Sequence, residues 1–124
     1  GGKSHVTDVT NASRTMLLNI QDLEWDPAML DLFAIPEAIL PDVLPSAGDF
    51  AITDVSVLGA EIPITGVAGD QHAALFGQAC FKTGMTKCTY GTGAFVLTNA
   101  GQRVPSPEAG ILSTVGWQVG SKRA

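Results

Sequence analysis

The sequence predicts an α/β or α+β fold, on three observations. Apolar and turn-forming residues alternate in short blocks. Strand-like blocks are interrupted by helical ones rather than stacked in series. The apolar run Ile62, Ile64 and Val67 passes through Ala68-Gly69 straight into a helical stretch that begins at Asp70.

Taken in order, Asp8 to Thr15 is polar and rich in side chains that bond their own backbone, so a loop or capped turn is expected there. Met16 to Ile20 is too short to fix a period and is open to strand or helix. Trp25-Asp26-Pro27 starts a helix, because Asp satisfies free amides and Pro at the first helical position loses no hydrogen bond. Trp25, Met29 and Phe33, with Leu30 beside them, form the stripe expected to pack on the core. Pro36, Pro41 and Pro45 leave room between Ile35 and Pro45 for one or two helical turns, a connecting segment. Val55 and Val57 alternate like a half-buried strand, and Ile62 to Val67 reads as a buried one.

Asp70 to Cys80 is then expected to be a helix with small residues on one side, able to lie close to another element. Met85 to Tyr90 and Ala94 to Thr98, separated by Gly91-Thr92-Gly93, give a hairpin signal. A polar connection holding Pro105 and Pro107 leads to a strand over Ile111 to Val115, extending toward Trp117 and Val119.

Composition narrows the function. Of 124 residues, 45% are hydrophobic and 15% charged, which is globular rather than disordered. A net charge of −5 without any basic run argues against nucleic acid or an anionic membrane as the main partner, leaving small molecules. No stretch approaches the roughly 20 apolar residues of a membrane span, and no signal-peptide core is present, so a cytoplasmic location is expected. Cys80 and Cys88 lack metal-ligand spacing and are expected to be buried free thiols. No metal site is expected from His5 and His72, which read as surface or hydrogen-bonding residues. The abrupt ends and the missing initiator methionine suggest a piece of a longer protein.

Chemistry concentrates at two places. Gly69-Asp70-Gln71 sets a carboxylate between the end of a strand and the first turn of a helix, where open α/β folds bind ligands. The positive helix end favours a carboxylate, which there can orient a hydroxyl and accept its proton; Gln71 can donate to or accept from hydroxyls. An Asp at a helix start is also a common N-cap. Tyr90-Gly91-Thr92-Gly93 allows close backbone approach and a hydroxyl contact to phosphate, though it is equally an ordinary hairpin turn. Neither a Walker A loop nor a dinucleotide fingerprint is found.

Together these residues resemble the FGGY carbohydrate kinases, and among them the glycerol kinases of bacterial type. The resemblance rests on His5-Val6-Thr7-Asp8, Thr10 to Thr15, Trp25-Asp26, Gly66 to Gln71, Ala73 to Gln78 and Thr89 to Gly93, all in the family's order and spacing. It implies a ribonuclease H-like fold of the actin and hexokinase superfamily, with residues 1–76 closing the first domain and 77–124 beginning the second. It also implies Asp70 as the base toward a primary hydroxyl of glycerol, Gln71 on glycerol hydroxyls and Phe95 against the glycerol carbons. Thr92, between Gly91 and Gly93, would approach the phosphates of ATP, with Mg2+ neutralising them.

The family's first phosphate loop, its Arg-Glu pair and its pocket tyrosine would precede Gly1, and its adenosine-holding segments would follow Ala124. The 124-residue chain is therefore expected to be inactive alone and marginally stable, and its parent a homo-oligomer. Glu61 stands where some members carry a bisphosphate-binding arginine, and no histidine lies between His5 and His72 for phosphorylation control, so neither form of regulation is expected. The alternatives are another FGGY kinase, acting on xylulose or a related ketose or polyol, and a non-catalytic kinase remnant. The Thr10 to Thr15 run, Ala73 to Gln78 and Phe95 favour glycerol.

Overall fold

The computed structural model describes residues 2–106 and 110–124, so Gly1 and Pro107 lie outside the described residues. The fold is mixed α/β. Strand β1 (Val6–Asp8) runs directly into a single helical turn, α1 (Val9–Ala12), because the Asp8 carboxylate caps it by accepting from the amides of Thr10 and Asn11. The capped turn expected over Asp8 to Thr15 is therefore present. The open stretch after it resolves as β2 (Leu18–Asn19), antiparallel to β3 (Glu24–Trp25).

Helix α2 (Pro27–Phe33) starts at Pro27 with Asp26 as its cap, as its sequence indicates, and ends at Ala34 in the left-handed conformation. Its packing stripe is narrower than expected. Leu30 is buried and Trp25 and Met29 are half-buried, whereas Phe33 is exposed. The supposed connection after it holds a 3-10 turn (Glu37–Ile39) and also a strand, β4 (Asp42–Leu44), parallel to β1. Pro41 and Pro45 flank this strand, so neither removes an amide from its short ladder.

Strand β5 (Ala47–Ile52) pairs antiparallel with β6 (Pro63–Gly66), and the two are joined by the helical turn α3 (Val55–Leu58). Here the sequence misleads twice. Val55 and Val57 are not in a strand, because Asp54 caps a turn that Gly59 closes with φ 75°. Ile62, just before β6, and Ile64, within it, are expected to be buried but are exposed, since among the described residues β6 is the edge of its sheet.

Helix α4 (Asp70–Gly77) ends before Cys80, at a reversal where Ala79 takes φ 56°. Its buried face is His72 and Leu75; the small residues Ala73 and Gly77 face outward, opposite to the expectation. Strands β7 (Thr86–Tyr90) and β8 (Ala94–Thr98) form the expected hairpin in continuous register around Gly91-Thr92-Gly93. Cys80 is a buried free thiol, but Cys88 is exposed, on the outward face of β7 beside Tyr90. No strand forms over Ile111 to Val115; pairing resumes only at β9 (Gln118–Val119) and β10 (Lys122–Arg123), with β9 also parallel to β5. Leu75, Cys80 and Trp117 make a small core, edged by Leu97 and Ala124. Phe76, Phe81 and Trp117 meet edge to face at 5.0 to 5.9 Å.

Candidate active-site cleft

The cleft is organised by how α4 begins. Gly69, not Asp70, is its N-cap, and the Gly69 amide donates to Thr10 Oγ1 at 2.9 Å, which ties the start of α4 to α1. A Cβ at Gly69 would come within 2.8 Å of His72 Nδ1, so the junction requires glycine. Asp70 is left exposed in the first turn. One of its carboxylate oxygens accepts the Gln71 amide at 2.8 Å and the other lies 3.4 Å from Gln71 Nε2.

The anchor beneath this turn is polar and buried. Asp8 is fully enclosed, and its carboxylate accepts from the amides of Thr10 and Asn11 (both 3.0 Å), from Asn11 Nδ2 (2.7 Å) and from Ser46 Oγ (2.9 Å). Four donors compensate the lost hydration. Ser46 Oγ in turn accepts the Gln118 amide at 3.2 Å, which joins the loop before β5 to β9.

A second chain of hydrogen bonds has a fixed direction. Ser13 Oγ donates its only proton to the Thr10 carbonyl (2.8 Å) and accepts the Val115 amide (3.3 Å). Its 2.7 Å contact with Thr114 Oγ1 must therefore use the Thr114 proton, and the 3.2 Å contact of Thr114 Oγ1 with His72 Nε2 must use a histidine N–H. His72 is thus the Nε2–H tautomer. Its Nδ1 is a buried lone pair without a partner. Burial holds this imidazole below its ordinary pKa of 6.5; Arg14 pushes the same way, the carboxylates of Asp8 and Asp70 oppose it, and Lys87 adds to the lowering.

Asp70, Gln71 and Phe95 line one cleft of about 1070 Å3, together with His72 and Thr114. Among its described lining residues Arg14, Arg103 and Arg123 are the cations and Asp70 is the one carboxylate. Such a cleft suits a ligand with an anionic end and a hydroxyl end. Gly91, Thr92 and Gly93 do not line it. They form the exposed tip of the β7–β8 hairpin, linked to the cleft through Phe95, whose ring lies 3.3 Å from where a Gly93 Cβ would sit.

Sequence reasoning singled out Asp70, Gln71 and Phe95 but passed over Asp8, Ser13, Thr114 and Lys87. The polar run from Asp8 signalled a capped turn, and nothing in it signalled burial. Lys87, 1% exposed, donates to Gln71 Oε1 and to Thr89 Oγ1 (2.9 Å). No group of three or more His, Cys, Asp or Glu side chains among the described residues could hold a metal ion, and no helix among them is long and apolar enough to cross a membrane.

Residues 2–77 match the FGGY family of carbohydrate kinases, N-terminal domain. The chain is 60% identical over 119 residues to a glycerol kinase of Geobacter sp. (strain M21), which covers 96% of this chain and 24% of that protein. It is 55% identical over 122 residues to a glycerol kinase of Pseudothermotoga lettingae, covering 98% of this chain and again 24% of that protein. Its fold is similar to the crystal structure of Plasmodium falciparum glycerol kinase with ADP, with a TM-score of 0.88 and 39% identity over 95% of this chain and 24% of that one. The chain thus spans about a quarter of the length of the relatives it matches.

Proposed function

The chain belongs to the FGGY family of carbohydrate kinases and has the actin- and hexokinase-like fold of its structural relative, and on that premise we propose that it is a segment of an ATP-dependent glycerol kinase with Asp70 as the catalytic base. The observation that carries this reading is the exposed Asp70 carboxylate at the first turn of α4, on the same cleft as Gln71 and Phe95. Asp70 takes the proton of a primary hydroxyl as that oxygen attacks the γ-phosphorus of ATP. The new O–P bond forms as the bond to the leaving ADP oxygen breaks, giving sn-glycerol 3-phosphate. Positioning and charge supply most of the rate in such transfers. Gln71 holds a further hydroxyl, Phe95 covers the carbon chain, and the arginines of the cleft favour the phosphate end.

The tip Gly91-Thr92-Gly93 reaches the ATP phosphates from the hairpin when the rest of the enzyme closes over the cleft. Mg2+ belongs to the same reading as the companion of those phosphates; the described residues offer it no ligand cluster, so no step depends on their holding it. Residues 1–76 close the first domain and 77–124 open the second, which the family match ending at residue 77 supports. The parent enzyme works in the cytoplasm as a homo-oligomer.

A substrate panel on the full-length kinase tests the reading. Glycerol should be the preferred acceptor, and strong preference for xylulose would instead make this another sugar kinase of the family. The 124-residue chain alone should release no ADP from magnesium-ATP with glycerol; turnover by it would refute the claim that the site needs further segments.

A further inference from the structure

Taking an ammonium out of water is expensive, and a lysine is almost never fully buried without a reason. Lys87 is 1% exposed, the largest of the fully enclosed side chains, and it sits on β7 without lining the cleft. Its ammonium links α4 to the strand that leads into the hairpin tip. It donates to Gln71 Oε1 on α4 and to Thr89 Oγ1, three residues before Thr92.

An ammonium has donors and no acceptor, so the atom of Gln71 that faces it must be the amide oxygen. The amide NH2 then points away from Lys87, and Gln71 Nε2 lies 3.4 Å from Asp70 Oδ2, on the cleft side. Without the lysine the amide could turn over and present oxygen instead. We propose that Lys87 is a positioning residue that fixes the Gln71 amide so that it offers only N–H donors to the substrate. Together with Asp70 this makes an ordered pair on one turn of helix, an acceptor beside a donor. The pair reads a vicinal diol: one hydroxyl gives its proton to Asp70, and the adjacent hydroxyl oxygen accepts from Gln71. The specificity of the site for adjacent hydroxyls therefore depends on a residue that does not touch the substrate.

The inference rests on the glycerol kinase reading, and its test separates the two. In the full-length kinase, kcat/KM is measured for glycerol and for propane-1,3-diol, which lacks the middle hydroxyl, in the wild type, Lys87→Met, Lys87→Arg and Lys87→Gln. Wild type should prefer glycerol strongly, because a site built to bond a hydroxyl leaves polar groups unpaired when it is missing. Lys87→Met should reduce that preference by roughly tenfold or more through glycerol alone, with the rate on propane-1,3-diol unchanged. Lys87→Arg, also donor-only, should retain most of it. A merely structural role would lower both substrates together. Should Lys87→Met fail to fold, Lys87→Gln decides: its amide oxygen can accept from Gln71, so the Gln71 amide is free to turn over, and the preference should fall as far, a folded Lys87→Gln enzyme that keeps it overturning the proposal. A folded Lys87→Met enzyme with its preference intact overturns the proposal as well. A wild type inactive on both diols overturns the function reading itself.

Discussion

The turn at Asp8–Ser13 and the arm formed by β5, α3 and β6 invert the usual rule of burial. In the first, Asp8, Thr10 and Ser13 are enclosed while polar; in the second, Ile52, Val57 and Ile62 are apolar while exposed, Val57 to 75%. The difference lies in what each segment has to bond to. The enclosed side-chain oxygens of the turn meet donors from its own backbone and from Asn11, Ser46, Gly69, Thr114 and Val115, so water is not missed. The arm has strand pairing between β5 and β6, but of its side chains only Phe50 is buried. The hydrogen-bonded turn is the part that holds Gly69 and hence Asp70. What positions the Asp70 carboxylate is a set of directed polar contacts, while apolar surface is left facing outward.

If that contrast is right, substitutions should hurt where polar atoms are enclosed and be nearly silent on the arm. Asp8→Ala, which strands the amides of Thr10 and Asn11 and the Ser46 hydroxyl, should cost about 3 kcal/mol or more, read as a lower urea midpoint of the full-length kinase. Thr10→Val keeps the shape but orphans the Gly69 amide, and about 1–2 kcal/mol should be lost, with Thr10→Ser restoring most of it.

A smaller effect should follow pH. Because the folded state holds His72 below its ordinary pKa of 6.5, its contribution is fully present above that pH. As pH falls below 6.5 the unfolded chain binds a proton that the folded one resists, so stability drops until the folded pKa is passed. His72→Gln should flatten that acid limb in thermal melts across pH 7.5 to 5. Least of all, Val57→Thr on the arm should change stability by no more than about 0.5 kcal/mol; a loss as large as that at Thr10 would break the comparison.

Much of the architecture was legible because local chemistry decides it. Asp26-Pro27 starts a helix wherever the chain goes next, Asp8 caps its own turn, and the Gly91-Thr92-Gly93 hairpin follows from alternation around glycine. Asp70, Gln71 and Phe95 were legible as types of residue in a known order, and the structure adds that they share a cleft. What failed was burial. Ile62 and Ile64 look like core in any window, but covering them takes a partner surface that no local pattern specifies. Lys87, and the burial though not the hydrogen bonding of His72, escaped for the complementary reason: their partners, Gln71 and Thr114, lie 16 and 42 residues away.

The most direct test of the central claim is glycerol-dependent release of ADP from magnesium-ATP by the full-length kinase and its Asp70→Asn variant. Turnover by the wild type and a loss of roughly a thousandfold in the variant are predicted. The urea midpoint should not move, because Asp70 is exposed and, among the described residues, its carboxylate bonds only to Gln71. A variant that keeps its rate would contradict the assignment of Asp70 as the base.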